Sequence, residues 1–262
     1  MQTFNRNEGR LPVGEFSEEE REKRKKFEVS IFGTRGSKTD GEKKAVDIAG
    51  SLATKIVGNW HKIKTGGYNT GIMEAASKAG HEEALRLGCD ELIPEGITIG
   101  DVLGKATEYA KITEEDTLLE RLDNLEDTDA MVVLHGTSGT ITELLTSIVD
   151  STIKRMKNVK NDEFAQRPIV IADSSLRHVD LLDALKKLDP GMIGMFEHVY
   201  FVSSSNNQEA GEIVDEINFI IESYYRKSEG EELSDEDKVE IAKFDLKKFF
   251  DAKNEFTEGA GI

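Results

Sequence analysis

The chain has 262 residues, a formal net charge of −17 and a single cysteine, Cys89. This acidity argues against nucleic-acid binding, which normally needs a basic face, and one cysteine cannot form a disulfide within the chain. No apolar run approaches the ~18 residues of a membrane span, and the N-terminus has no apolar signal core. We therefore expect a cytoplasmic protein with neither a nucleic-acid nor a membrane partner.

Residues 1–26 are polar and charged and are predicted to form an N-terminal extension. Ser17 precedes three glutamates, a pattern that favours the start of a short helix. We expect a solvated tail or a peripheral helix here, and a partner-binding arm is the alternative.

Residues 27–226 alternate between short apolar runs and helical patterns. The predicted strands are 27–32, 60–65, 89–93, 130–134, 167–172 and 198–202, and the predicted helices are 40–57 (capped by Asp40), 72–87, 115–127, 138–156, 176–188 and 208–225. Residues 94–112 leave two possibilities open, a helix over 99–110 or a strand that begins near 109. The alternation predicts right-handed βαβ units, and hence a Rossmann-like three-layer α/β/α domain with a central, mostly parallel sheet.

Residues 227–262 are predicted to be a charged linker followed by an amphipathic helix that Ser234 caps. Its apolar stripe would pack on the main domain or on a second subunit. The stripe comprises Val239, Ala242, Leu246, Phe249 and Phe250.

A turn of small residues follows the predicted strand 130–134 and leads into a helix. Such a turn directs free backbone N–H groups and the positive end of the helix dipole at one point, which is the chemistry of a phosphate site. Glu143 would repel a phosphate directly above it, so we expect it to face an uncharged part of the ligand or to take part in chemistry. The predicted phosphate-binding residues are Gly136, Thr137, Ser138, Gly139 and Thr140.

Two further glycine-containing turns follow the first two predicted strands. Ligands of open parallel sheets lie at the carboxyl ends of the strands, so the three turns should converge on one crevice. The additional predicted binding residues are Gly33, Thr34 and Arg35 in the first turn and Gly66, Gly67, Asn69, Gly71 and Met73 in and after the second.

Several other site types are disfavoured by the sequence. The turns lack the P-loop pattern of ATPases, and no Gly-x-Gly-x-x-Gly follows the first strand, which argues against NAD. The five histidines (61, 81, 135, 178 and 198) show no metal-ligand spacing, so we expect no metal site and no bound cofactor. His135 fits either a functional or a structural role, and Cys89 is expected to be a small buried apolar group.

Two stretches of the chain carry a family resemblance. Gly136-Thr137-Ser138-Gly139-Thr140-Ile141-Thr142-Glu143 resembles the Pro-Gly-Gly-x-Gly-Thr-x-x-Glu signature of the Lonely Guy (LOG) family, whose members were once described as possible lysine decarboxylases. Gly66-Gly67-Tyr68-Asn69-Thr70-Gly71-Ile72-Met73-Glu74-Ala75-Ala76 resembles the second signature of that superfamily, and Phe32-Gly33-Thr34-Arg35-Gly36-Ser37 fits its opening strand and loop. The likeness covers roughly residues 27–222.

The resemblance implies a nucleotide-binding, usually dimeric enzyme. LOG enzymes are phosphoribohydrolases, which split a nucleoside 5′-monophosphate into free base and ribose 5-phosphate. The implied catalytic residues are Glu143 and, upstream, Arg121, while Arg35 and His135 are alternatives to Arg121 for assisting the leaving base.

The chain also departs from the LOG pattern. His135 replaces the signature proline, Thr137 replaces the second glycine, Leu122 stands where members have lysine, and Glu74 stands where they have glycine. Relatives of the family include nucleotide-binding and molybdenum-cofactor-carrier proteins, so the alternative is a non-catalytic nucleotide or cofactor carrier, or a sensor of a nucleotide-derived signal.

Overall fold

The computed structural model describes residues 16–36, 38–100, 104–157, 167–173, 175–203 and 208–251. Within them seven strands form one sheet in the order β4-β3-β2-β1-β5-β6-β7, and every neighbouring pair is parallel. The strands are β1 Glu28–Phe32, β2 Lys62–Thr65, β3 Glu95–Thr98, β4 Lys111–Glu114, β5 Ala130–Leu134, β6 Ile169–Ala172 and β7 Val199–Phe201. The predicted Rossmann-like three-layer fold is confirmed.

Helices cover both faces of the sheet. They are α1 Glu18–Arg24, α2 Asp40–Gly58, α3 Gly71–Leu87, α4 Leu118–Glu126, α5 Ser138–Lys157, α6 Arg177–Leu188, α7 Ala210–Ser228 and α8 Asp235–Ile241. α2, α3 and α7 share one hydrophobic core with alternate residues of the strands, and α4, α5 and α6 share the other. This two-sided burial explains why the central strands are almost continuously apolar. No helix in the described ranges has the length and apolar character to cross a membrane.

The β3 region differs from the prediction. Residues 89–93 are not a strand: Asp90–Leu92 form a 3₁₀ turn, and β3 starts after Pro94. Proline has no N–H for the strand ladder. Gly96 interrupts the apolar pattern of residues 95–98, so the sequence did not indicate a strand there. Gly96 is required there because a Cβ would lie 2.7 Å from the Cα of Gly67.

Of the two possibilities left open for residues 94–112, the structure has the strand. Residues 104–110 are not helical, and β4 begins at Lys111; the remainder of the predicted helix, 101–103, lies outside the described residues.

Two smaller predictions were also wrong. Thr39, not Asp40, caps α2, because its hydroxyl accepts from the Glu42 N–H while the Glu42 carboxylate accepts from the Thr39 N–H. This reciprocal pair satisfies two free donors, which a lone Asp40 cap would not. Cys89 is only partly buried, at the margin of the first core.

The C-terminal stripe packs on the same chain, although not as one helix. α8 ends at Ile241, and a second helical segment follows over 246–251. Between them the Phe201 N–H donates to the Phe244 carbonyl at 2.7 Å, so the chain pairs with β7. Leu246 and Phe250 are fully buried, whereas Val239 is exposed.

A buried polar network fastens α1 to the rest of the fold. The Glu222 carboxylate on α7 contacts His61 Nε2 at 2.8 Å and Arg24 Nη1 at 2.9 Å, and it accepts from Asn59 Nδ2 at 2.9 Å. Burial alone would raise the pKa of Glu222, but the contacts with His61 and Arg24 outweigh it and lower that pKa to about 2. Because the folded pKa lies below the unfolded one, the ionised carboxylate stabilises the fold above about pH 4.5 and loses this effect as the pH falls towards 2.

We therefore predict that Glu222→Gln lowers the free energy of unfolding by about 3 kcal/mol at pH 7. The difference from the wild type should shrink as the pH falls from about 5 to 2, since Gln does not titrate. Urea unfolding at a series of pH values measures it. Glu232→Gln, at an exposed carboxylate just after α7, is the control and should change stability by less than about 0.5 kcal/mol. A pH-independent difference would contradict the assignment.

Candidate functional site

The three predicted turns meet at the carboxyl edge of the sheet. The Thr34 N–H donates to the His135 carbonyl at 2.8 Å, and the Ile72 N–H donates to the Thr34 carbonyl at 3.1 Å. The Thr70 hydroxyl donates to the Arg35 carbonyl at 2.9 Å. β1 lies between β2 and β5, where the order of strands reverses, and open α/β sheets bind their ligands in the crevice at that point.

Most glycines in these turns are needed for close packing. A Cβ on Gly33 would lie 2.2 Å from Ile72 Cδ1, one on Gly71 would lie 2.4 Å from the Thr34 carbonyl oxygen, and one on Gly136 would lie 2.2 Å from Thr140 Oγ1. Gly139 differs, since its Cβ would meet no atom within 4 Å. Packing therefore does not explain Gly139, and the space beside it is open.

The N-terminus of α5 has the form of an anion site. The Ile141 N–H donates to the Thr137 carbonyl at 2.9 Å as the helix starts, so the N–H groups before it have no acceptor within the helix. Thr137, Ser138 and Gly139 are exposed, while Thr140 is buried against Gly136. These free donors, together with the helix dipole, favour an anion.

Arg121 and Glu143 form a buried ion pair beside this turn. Nη1 of Arg121 donates to Oε1 of Glu143 at 3.2 Å, and Nε of Arg121 donates to the Ile97 carbonyl at 3.0 Å. The two residues are 5% and 9% exposed. Burial outweighs the nearby guanidinium groups of Arg121 and Arg35 and leaves the pKa of Glu143 above its ordinary value. The pair joins α4 to α5 and places a carboxylate within reach of the crevice.

Tyr68, which the sequence analysis did not select, is central to the second turn. Its ring is fully buried, its hydroxyl accepts from the Ile99 N–H at 2.9 Å, and the guanidinium carbons of Arg35 and Arg121 lie 5.5 and 6.0 Å from the ring centroid. Its position inside the Gly-Gly-Tyr-Asn-Thr-Gly stretch was the available signal. An aromatic face between two guanidinium groups orders both of them.

The other predicted binding residues around Tyr68 differ in whether they are buried or exposed. Gly66 approaches Arg121 and Met73 closely, because its Cβ would lie 2.7 Å from Nη2 and 2.4 Å from Sδ. Met73 is buried, while Asn69 is exposed and donates its N–H to the Lys105 carbonyl at 3.0 Å. Gly67 packs against β3 with a φ of +73°.

A second ionic cluster lies at the ends of β5 and β6. His135 Nδ1 is 3.0 Å from Asp173 Oδ1, and His178 Nδ1 is 2.9 Å from Asp173 Oδ2. Ser175 donates both its N–H and its hydroxyl to the same carboxylate. Burial would raise the pKa of Asp173, but the contacts with His178 and Ser175 hold it well below its usual range. The sequence analysis missed Asp173, Ser175 and His178, although Asp173 directly follows a predicted strand.

An acidic cleft of about 660 Å³ opens along α4 and α5, away from this cluster and without contact to Arg121 or Glu143. Its negative lining opposes a phosphate, so the turns at the strand ends remain the better candidate. It is lined by Glu115, Glu120, Asp123, Asn124, Glu126, Asp127, Asp150 and Lys154.

Solved structures with this fold include cofactor-binding proteins. The molybdenum cofactor binding protein from the phototrophic bacterium Rippkaea orientalis matches with a TM-score of 0.50 and 15% identity, over 74% of this chain and 96% of that one. The molybdenum cofactor carrier protein from Chlamydomonas reinhardtii gives 0.48 and 13% identity, over 75% and 99%. The likeness confirms the expected Rossmann-like fold. No protein-family model matches the sequence, and no curated protein does so either.

Replacing Gly67 or Gly139 of the site by alanine should have opposite effects on folding stability. Gly67→Ala should destabilise the fold by about 1–3 kcal/mol, because the residue has a positive φ and its Cβ would lie 2.8 Å from the Gly96 backbone. Gly139→Ala should leave stability unchanged or raise it by up to about 1 kcal/mol, because alanine is the better helix former. Chemical denaturation of both variants tests this, and equal destabilisation by the two would contradict it.

Proposed function

We propose that the crevice binds a nucleoside 5′-monophosphate and hydrolyses its N-glycosidic bond, yielding free base and ribose 5-phosphate. The observation that carries this proposal is the buried Arg121–Glu143 pair at 3.2 Å. These are the two residues that the LOG resemblance implies as catalytic, and they reach each other from α4 and α5. Their proximity to an anion-binding helix terminus supports a phosphorylated substrate.

The position of Glu143 along α5 suits such a substrate. It is five residues after Ser138, or about 7 Å along the helix axis. A phosphate on the first turn of α5 therefore does not touch the carboxylate, and the ribose lies between them. The base extends towards Arg35, whose exposed guanidinium lies over the buried ring of Tyr68 and offers a stacking surface.

The chemistry follows from the charges that develop in the reaction. As the C1′–N bond breaks, its electron pair goes to the base, positive charge develops on the ribose, and water adds at C1′. Glu143 stabilises that positive charge and accepts the proton from the attacking water, the leaving base takes up a proton from solvent, and Glu143 then returns its proton to solvent. Arg121 has a positioning role, because its guanidinium donates to the Glu143 carboxylate and opposes the rise in the pKa of Glu143 that burial causes.

A second candidate is a carrier or sensor that binds a nucleotide or a cofactor of the molybdenum-cofactor type without hydrolysing it. The observation that favours it is the departure of the turn from the LOG signature, with His135 in place of the proline and Thr137 in place of the second glycine. The structure from Rippkaea orientalis, a molybdenum cofactor binding protein, has this fold. The site would then need no resident cofactor and no metal, only the ligand that it carries.

We also propose that the protein is a cytoplasmic homodimer. α5 presents Val149, Ile153 and Met156 to solvent, each more than 40% exposed. These positions recur at spacings of four and three residues, so they form one apolar stripe along the helix. A second copy of the chain would cover this stripe.

The enzymatic proposal predicts that Glu143→Gln lowers the rate of base release by about 10²–10⁴-fold while affinity for the nucleotide changes little. The measurement is release of free base from AMP, CMP, GMP, UMP and IMP, with binding followed by calorimetry. Glu82→Gln, at an exposed glutamate on α3, is the matched control and should retain full activity.

The outcomes separate the two candidates. If the wild type releases base from none of the five nucleotides but they raise its melting temperature, the carrier or sensor is favoured, because any ligand of the native state stabilises it. If Glu143→Gln remains fully active, the assignment of the carboxylate is wrong. Gly139→Ala should weaken nucleotide binding under either candidate, since its methyl group enters the proposed phosphate space.

A further inference from the structure

The cluster of His135, Asp173 and His178 has no role in the function proposed above, yet it adjoins the same turn. His135 occupies the position directly before Gly136, and its carbonyl holds the first turn through Thr34. Asp173 is fully buried and His135 is 7% exposed. Buried ionised groups are costly unless they are paired, so a carboxylate held between two imidazoles here calls for an explanation.

Asp173 fixes the orientation of the His135 ring. The carboxylate accepts hydrogen bonds from Ser175, and its pKa lies well below the usual range, so it is ionised and acts only as an acceptor. A nitrogen 3.0 Å from an acceptor must carry the proton. His135 is therefore protonated at Nδ1, and its Nε2 is the nitrogen whose protonation can change.

Nε2 of His135 is available to a ligand. Among the described residues it has no hydrogen-bond partner, and a tenth of the side chain is exposed. Nε2 of His178 also lacks a partner in the described part of the chain, but His178 is fully buried. Of the two imidazoles, His135 is thus the one that can exchange a proton with the crevice.

The phosphate turn needs a positive partner. Residues 136–140 offer only backbone N–H groups and hydroxyls, and Arg121 is already paired with Glu143. The other charged groups around His135 are Asp173 from the end of β6, His178 from α6 and Glu42 from α2, whose carboxylate interacts with the charge of His135. With two carboxylates nearby and a net charge of −17, a positive charge on the imidazole would strengthen the binding of an incoming dianion by the N–H groups of the turn.

We propose that His135 binds the phosphate of the ligand as an imidazolium, donating Nε2–H to a phosphate oxygen while Asp173 holds Nδ1–H. This rests on the proposed function and narrows it, because the ligand must carry a dianionic phosphate group and its binding is linked to uptake of one proton. A hydrogen bond between two charged groups is about twice as strong as a neutral one, so the protonated ring discriminates a nucleotide from its nucleoside.

The test is calorimetric binding of AMP and of adenosine between pH 7.0 and 8.5. The second ionisation of a phosphate monoester lies near pH 6, so AMP is already a dianion in this range and its own titration contributes little. For the wild type, affinity for AMP should fall by about tenfold across the range, with proton uptake visible in buffers of different ionisation enthalpy. Adenosine binding should not depend on pH.

His135→Gln should bind AMP about tenfold more weakly at pH 7.0 and show neither the pH dependence nor the proton uptake. Its affinity for adenosine should equal that of the wild type. His81→Gln, at a half-buried histidine on α3, is the control and should retain the pH dependence. Thermal unfolding of each variant verifies that it is folded, and Asp173→Asn should weaken the pH dependence with His135 intact.

Sulfate, a tetrahedral dianion that does not titrate in this range, separates the inference from the proposed function. If His135→Gln binds AMP and sulfate as tightly as the wild type and with the same pH dependence, the inference is overturned and the proposed function stands. If no nucleotide binds but sulfate binds with a pH dependence that requires His135, the inference stands and the proposed function fails. If the wild type binds neither probe, both are overturned.

Discussion

Two backbone hydrogen bonds hold the candidate site together. They join the turn after β1 to the turns after β2 and β5, through Thr34. The turns can approach this closely only because Gly33 and Gly71 have no side chains, since a Cβ on either would overlap a neighbouring atom. The glycines of the first two turns therefore serve the assembly of the crevice.

Electrostatics at the site is local in origin. The chain as a whole is strongly acidic, so its overall field repels anions. The N-terminus of α5 and Arg35 are the positive features that oppose this field at the crevice, while the charge of Arg121 is balanced by Glu143. Each ionic group is held by a specific partner from another element of the fold: Arg121 by Glu143 and His135 by Asp173.

The sequence was informative wherever a local pattern carried the signal. The central strands β5 and β6 are continuous apolar runs, and the turn before α5 is recognisable because small polar residues follow such a run. β3 was misplaced because its glycine looks like a break, although the backbone approach of Gly67 requires it. Asp173 and His178 were missed because they can be recognised as part of the site only through the cluster with His135. They lie 38 and 43 positions from His135 in the chain, and no local spacing indicates that contact.

The pairing of the C-terminal segment with β7 affects how the sheet ends. An edge strand exposes unpaired N–H and carbonyl groups, and another chain can add to them. At β7 the Phe201 N–H donates to the Phe244 carbonyl in the antiparallel bridge that pairs Tyr200 with Asp245, and this bridge occupies part of that edge. At the opposite end β4 is exposed and carries Lys111 and Glu114. One edge strand of the sheet is thus partly paired with the chain's own backbone, and the other carries charged side chains. Both features oppose aggregation through the addition of strands from other molecules.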